Sequence, residues 1–520
     1  MKEKVFISYA KEDYQKAEQI YNDLRKKNIK PWMDKKDLKP GSRWKLEITK
    51  SIKECEYFLF LLSEYSVSKR GFVQKELKIA LDSLDEFGTN ETFIIPVRLD
   101  ECEVIDEKLA SLHRVDLFPF YEQGINKIIR EISGDNTSSD DTQSDNSAIL
   151  IIGSGLAENI LSIDTTIEYQ NKYIELNKKY IAKRRELFLG GSGINFSIRL
   201  AKTNHLILPI LSMGKDEFGF KAKKILSNIL INNIKNNSII NFIESEDFLC
   251  DQLVSSNTTV ISSNNTRTTF TPELKGIEHF SNFVDNRLDR VSKLNNIKIK
   301  AIMIGHIYAD HPKYQNEGII TKRIIQKFKE KSFIFANFGE SQLNSGLTFW
   351  KNHLKDVSVI QFSLPEVKQF FSEKGKNVSL SKIIEWFIIN NVNVVITHDK
   401  FGFIAVFNKG YLKGKVIYGE SPGLKNVVDT TGAGDSFASG LVSSLYKNTN
   451  ISSDDFLYAL NIGRLWAAYA CTIFGSSIHS PDNKELEDFK KTKMDDLKEI
   501  QLLMLEDVKT TMILNLFDKH

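Results

Sequence analysis

Short apolar runs alternate with helix-spaced segments along the first quarter of the chain. Val5-Phe6-Ile7-Ser8-Tyr9, Tyr57–Leu62 and Phe93–Val97 are strand candidates bounded by polar residues. Between the first two, Ala17, Ile20, Tyr21 and Leu24 recur at spacings of three and four, the period of a helix that buries one face. Helical segments are also expected around 43–54 and 71–86. Such alternation predicts a small parallel α/β sheet with helices on both faces. Ligands of that architecture sit outside the carboxyl ends of the strands, which gathers the loops after Ser8, Trp32 and Ser63 around one site.

The pattern stops at 133–147, SGDNTSSDDTQSDNS, which holds no Lys, Arg, aromatic or aliphatic residue. It cannot bury enough surface to fold and reads as a flexible, acidic linker between a domain at 1–132 and a second at 148–483. The second domain opens on Ala148-Ile149-Leu150-Ile151-Ile152, a buried-strand run leading into Gly153-Ser154-Gly155. That turn is no dinucleotide fingerprint, because Glu158 stands where the third glycine belongs. Segments 248–254, 258–262 and 267–271 read as short strands, and Val357–Phe362 and Val394–Thr397 as longer-range ones. From 484 to 520, Leu497, Ile500, Met504 and Val508 predict an amphipathic helical extension, docked on the second domain or used for self-association.

Composition narrows the classes. A chain of 520 residues is too long for one core. A formal net charge of +3 gives no reason to invoke nucleic acid or a charged membrane. No apolar run reaches the length of a membrane span, and charges interrupt the N-terminal apolar run too early for a signal peptide. Cys55, Cys102, Cys250 and Cys471 are far apart, which suits reduced thiols in a cytoplasmic protein and does not support a zinc site. His306, Asp310 and His311 do not share a helical face and read as a polar loop.

One stretch carries chemistry, Asp429-Thr430-Thr431-Gly432-Ala433-Gly434-Asp435-Ser436-Phe437, followed by a helix-like run from Phe437 to Tyr446. Gly432 and Gly434 allow a tight turn and a close backbone approach. The unpaired N–H groups of a helix start suit a phosphate. Asp435 at its mouth cannot bind phosphate, so its role there is to accept a proton from an attacking hydroxyl; the plain alternative is a helix-capping acid. The stretch resembles the signature of the ribokinase/PfkB-like family of sugar and nucleoside kinases, which implies a ribokinase-like α/β domain with a small β lid.

That resemblance implies further site residues. Thr431, Gly432, Ala433 and Gly434 would hold phosphate, with Asp435 as catalytic base. Glu158 stands where the family has an aspartate that holds sugar hydroxyls. Gly190-Gly191-Ser192-Gly193-Ile194-Asn195 is similar to the second landmark, with Gly190, Gly191 and Asn195 on the substrate. Arg267, in the lid region, would reach substrate or phosphate, with a surface charge as the plain reading. Glu366 corresponds to an acid associated with magnesium and phosphate, although Ser363 replaces the usual asparagine. Thr397, Gly402 and Asn461 fall on the nucleotide side, although Asp399 replaces a usual glycine. ATP, Mg2+ and K+ are the implied cofactors, and a sugar or nucleoside the implied ligand.

The first domain resembles a bacterial TIR domain, a small flavodoxin-like parallel sheet. The matching pieces include Phe6-Ile7-Ser8-Tyr9, Pro31-Trp32-Met33-Asp34, Leu61-Leu62-Ser63, and Gly71-Phe72-Val73-Gln74-Lys75-Glu76-Leu77. Many TIR domains cleave NAD+ and others only bind partner TIR domains, so the resemblance implies NAD+ as substrate and self-association into a homo-oligomer. Glu76 corresponds to the catalytic glutamate, with a solvated helix acid as the plain alternative. Ser8, Tyr9, Asp34 and Ser63 would surround NAD+, and Trp32 or Trp44 would stack on adenine or nicotinamide, with core packing the competing reading. The combined expectation is an NAD+-cleaving effector, glycohydrolase or cyclase, controlled by a fused kinase domain in bacterial antiphage defence. The alternative is a metabolic kinase whose TIR domain only assembles.

Overall fold

A computed structural model of the chain describes residues 4–27, 29–38, 41, 43–68, 94–100, 102, 114–117, 121–132, 146–163, 181–234, 236–263, 266–314, 317–372, 378–424, 426–448, 450–475, 479–493 and 497–519. It divides into two compact units, Met1–Gln143 and Ser144–His520. The expected helix at 71–86, the catalytic candidate Glu76 and most of the acidic linker lie outside the described residues.

The first unit is built on strands β1 (Lys4–Ser8), β2 (Lys30–Trp32), β3 (Tyr57–Leu62), β4 (Ile94–Arg98) and β5 (Val115–Asp116). They are parallel, in the order β2-β1-β3-β4-β5. The unbroken apolar run of β3 is what a strand covered on both faces requires. Its period of two divides the core. Val5, Ile7, Leu59 and Leu61 pack with the helices Tyr14–Lys26 and Tyr121–Ile132. Phe6, Phe58 and Phe60 face Ile48 and Ile52 of the helix Trp44–Lys53.

In the second unit the strands are β6 (Ser147–Ser154), β7 (Leu156–Ile163), β8 (Ala182–Gly190), β9 (Leu206–Ser212), β10 (Ser256–Ser263), β11 (Thr266–Phe270), β12 (Lys298–Ile304), β13 (Phe333–Asn337), β14 (Val359–Ser363), β15 (Val394–His398), β16 (Gly402–Val406), β17 (Lys415–Gly419) and β18 (Gln501–Met504). Nine form one sheet in the order β18-β17-β16-β15-β14-β13-β12-β6-β9, and four form a separate sheet, β11-β10-β7-β8. The large sheet is parallel from β9 to β15 and ends in an antiparallel meander. Its strands β6, β9 and β13 are buried along their whole length, with helices supplying the cover.

Two expectations are corrected. Residues 248–254 are not a strand: a 3-10 turn ends at Phe248, and Cys250 makes one isolated bridge to Gly214 before the chain turns. The tail is not one amphipathic helix. A helix Asn483–Lys493 is followed by β18, which pairs with β17, and then by a helix Val508–Lys519. Pairing with an open sheet edge outweighed the helical spacing of Leu497, Ile500, Met504 and Val508. The Gly153–Gly155 turn leads from β6 straight into β7 with no helix after it, the wrong context for a dinucleotide turn.

Candidate functional site

The glycine turn opens the helix Ala433–Leu445 with Gly432 as its cap. Gly432 has φ +71°, a left-handed conformation that favours glycine. Gly434 is different: it is already helical, a Cβ there would meet nothing closer than Gln361 Nε2 at 3.7 Å, and it is exposed. The helix starts four residues before the expected Phe437, so Asp435 lies in its first turn. Ser436 N–H donates to Gly432 O at 2.9 Å, leaving the N–H groups of Gly434 and Asp435 ahead of the first intrahelical bond. Asp429 holds the turn from behind, accepting from Thr431 N–H (2.9 Å), Thr431 Oγ1 (2.5 Å) and Gly475 N–H (3.1 Å). Thr431 is therefore engaged within the protein and buried.

Asn195 meets Asp435 directly: its Nδ2 donates to Asp435 Oδ2 at 2.6 Å. The helix Ser192–Lys202 that carries Asn195 begins at Gly191, with φ +92° and no room for a Cβ against Ser154 O at 2.8 Å. One turn further along, Arg199 is buried; burial pushes its guanidinium down to about 10, and the Asp435 carboxylate opposes that shift. Gly190 makes space for a different reason. A Cβ there would fall 2.4 Å from the Glu158 carboxyl carbon, so Glu158 lies over Gly190 across the β7–β8 pair. Arg267 is placed on β11 opposite Ser262, and its side chain is outside the described residues.

Three neighbours of this site are not expected there from the sequence, in which His306 reads only as part of a polar loop. Gln361 on β14 donates from Nε2 to Gly434 O at 3.0 Å and is buried. After β12, His306 donates its backbone N–H to Ser192 Oγ at 2.7 Å, and its ring lies where a Cβ on Gly339 would be, 2.5 Å from Cγ. Tyr308 follows, its phenol pushed up by burial and then by the Glu158 and Glu340 carboxylates. The one available signal was Gln361, a polar residue inside an apolar run.

Among the residues expected to lie on the nucleotide side, Glu366 and Ser363 form a capping box: Ser363 N–H donates to Glu366 Oε2 at 2.6 Å, and Glu366 N–H to Ser363 Oγ at 3.4 Å. Serine thus performs the capping that an asparagine would. Thr397 Oγ1 donates to Phe362 O at 3.4 Å. Gly402, with φ +94°, closes the β15–β16 turn, where a Cβ would lie 2.1 Å from Gly419 O. Asp399, in the same turn, has φ +36°, which explains why glycine suits that position. Asn461 lies on the helix Ser453–Ala470, its Oδ1 buried without a hydrogen-bond partner among the described residues. No group of three potential metal ligands exists among the described residues, and one oxygen of Glu366 is taken by Ser363.

In the first unit the strand order reverses between β1 and β3, the switch point where such sheets bind ligands. There Ser63 Oγ donates to Asp13 Oδ2 at 2.5 Å, and burial raises the Asp13 carboxyl. Tyr9 Oη donates to Asp34 Oδ1 at 2.6 Å, tying the loop after β1 to that after β2. Ser8 and Ser63 are buried, and Trp32 stacks on Phe6 with ring centroids 4.9 Å apart. Packing accounts for Trp32. Trp44 is 47% exposed at the start of its helix, with Lys45 Nζ 5.4 Å from its ring centroid.

Residues 5–129 match the family model described as a TIR domain, and residues 325–483 match the pfkB family of carbohydrate kinases. No curated protein matches the chain. Among solved structures, ribokinase from Giardia lamblia is similar at 16% identity and a TM-score of 0.50, over 66% of this chain and 99% of that one. Ribokinase from Thermotoga maritima (16% identity, TM-score 0.47, 66% and 99%) and an uncharacterized sugar kinase from Pyrococcus horikoshii in complex with ATP (19%, 0.47, 66% and 98%) are also similar. The chain is thus a two-part α/β protein. It joins a TIR domain to a ribokinase-like domain that contains a pfkB-family segment.

Proposed function

We propose that the chain is a TIR-type NAD+-cleaving effector whose activity is set by what its ribokinase-like unit binds. The observation that carries the ligand-binding half is the 2.6 Å bond between Asn195 and Asp435 beneath the glycine turn. It brings a substrate-side amide and a base candidate together at a helix start suited to phosphate. In this reading the ligand is a sugar or nucleoside. Its hydroxyl would give a proton to Asp435 as its oxygen bonds to the terminal phosphorus of MgATP and the bond from that phosphorus to ADP breaks, with ADP leaving, while the N–H groups of the first turn would hold phosphate oxygens. Mg2+ enters with the nucleotide.

On the TIR unit, Glu76 is the catalytic acid residue in the sense of a charge stabiliser. Breaking the nicotinamide–ribose bond builds positive charge on the ribose, and a carboxylate beside it lowers that barrier. One carboxylate suffices because nicotinamide leaves from an already cationic state. Association of TIR units into oligomers is the proposed switch, and NAD+ depletion in a phage-infected bacterium is the proposed consequence.

The second reading is an ATP-dependent sugar or nucleoside kinase with the TIR unit as an assembly module. The same Asn195–Asp435 geometry favours it. The two separate on NAD+ consumption by the purified chain, wild type beside Glu76→Ala, with and without MgATP and a panel of sugars and nucleosides. Glu76-dependent loss supports the effector. No loss at concentrations where the protein self-associates, together with phosphorylation of one panel member, supports the kinase.

A further inference from the structure

The pfkB match ends at residue 483, and the chain runs on to 520. The added segment is integral to the second unit: Leu503, Leu514 and Phe517 are 8%, 1% and 0% exposed. β18 pairs with β17 from Lys415↔Met504 to Tyr418↔Gln501. Thr510 Oγ1 donates to Met504 O at 2.6 Å, which ties the helix Val508–Lys519 to that strand.

The inner face of this helix sets Phe517 edge-on to Tyr418 of β17 at 6.0 Å and touches two further places, both beside the edge proposed for the nucleotide. Asp518 accepts from Leu380 N–H at 3.1 Å and pairs with Lys368 at 3.0 Å, on the helix that carries Glu366. Phe517 packs its ring against His398 at 5.3 Å and Phe401 at 6.3 Å, and those two rings stack on each other at 5.2 Å. His398 and Phe401 bracket Asp399, whose left-handed backbone is unfavourable for a residue with a Cβ and whose side chain is 87% exposed. Asp399 gains no burial of its own, so its conformation depends on how its neighbours are held. Phe517 holds both.

We propose that the C-terminal segment is a strap that fixes the β15–β16 turn and so positions Thr397 and Gly402 for the nucleotide, with Phe517 and Asp518 as positioning residues. The assignment of a nucleotide to this edge rests on the reading above; the strap itself does not.

The test uses the full chain carrying Phe517→Leu or Asp518→Asn, each alone and with Asp399→Gly. The readouts are MgATP affinity by calorimetry and hydrogen exchange of the amides at 398–402. Phe517→Leu should speed exchange in the turn and weaken MgATP binding about tenfold, the change that 1.4 kcal/mol produces. Asp518→Asn should act in the same direction and more weakly. Asp399→Gly should restore most of the affinity in the Phe517→Leu background, because glycine adopts the left-handed conformation unaided. A general loss of packing would not be rescued in that way. Unchanged exchange in the turn, or faster exchange throughout the unit with no rescue, overturns the proposal. Should the wild type bind no MgATP, the nucleotide reading fails, and the exchange result alone decides the strap.

Discussion

Asn195 and Gln361 each spend their amide N–H on the Asp435 turn and keep their amide oxygen buried with no donor among the described residues. A buried acceptor left this way costs about 1–3 kcal/mol, which a ligand hydroxyl or a bound water would recover. Under the proposed chemistry, Asp435→Asn removes the proton acceptor and preserves the shape of the turn. Phosphoryl transfer should fall by about 100-fold or more while MgATP affinity holds within about threefold. Turnover retained in that variant would remove Asp435 from the role of base. Gly190→Ala makes a separate demand. Its Cβ would fall 2.4 Å from the Glu158 carboxyl carbon, and that side chain must swing away. Ligand affinity should drop with MgATP affinity unchanged, as titration of each would show.

At the scale of elements, the helix Ala433–Leu445 depends on the left-handed cap at Gly432. Gly432→Ala should lower the unfolding free energy of the second unit by about 1–2 kcal/mol, read from denaturant midpoints. Asp310 anchors the helix Ile319–Phe328, accepting from Ile320 N–H, Thr321 N–H and Thr321 Oγ1, at 0% exposure. Burial outweighs those bonds and raises its carboxyl to about 6. The folded protein therefore holds this proton more tightly than the unfolded chain does. The stability it adds is full below about pH 4 and is lost as pH rises through about 6. Unfolding of wild type and Asp310→Asn across that window should show the wild type losing ground to the variant as pH rises; parallel curves would contradict this.

The elements that could be read in advance are those whose apolar pattern admits one fold. Tyr57–Leu62 was legible to the residue, because a six-residue aromatic and leucine run suits a strand covered on both faces. The tail was not, since four apolar residues at helical spacing overlap the alternation that puts Leu503 inward and Leu502 outward on a strand. Only the open edge of β17 decides between them. In the site, the glycine turn was legible because its backbone demands are local. Gln361, Tyr308 and the Phe517–His398–Phe401 cluster depend on which strands become neighbours, which the chain does not state.

The whole molecule is two α/β units on one chain, one TIR and one ribokinase-like, each with candidate residues at the carboxyl ends of its strands. No helix among the described residues is long and apolar enough to cross a membrane. The central claim is that the second unit's ligand governs the first unit's chemistry. If so, the NAD+ reaction and ligand binding are linked, and weakening the ligand site must raise the ligand concentration at which the NAD+ rate responds. The most direct measurement is the rate of NAD+ loss against ligand concentration, in the presence of MgATP, for wild type and Asn195→Ala. The account predicts a ligand-dependent rate in the wild type, with its midpoint moved about tenfold or more in the variant, the loss of one or two hydrogen bonds to a buried hydroxyl. An NAD+ rate that is the same at every concentration of every sugar and nucleoside tried, or a midpoint indifferent to Asn195, would contradict it.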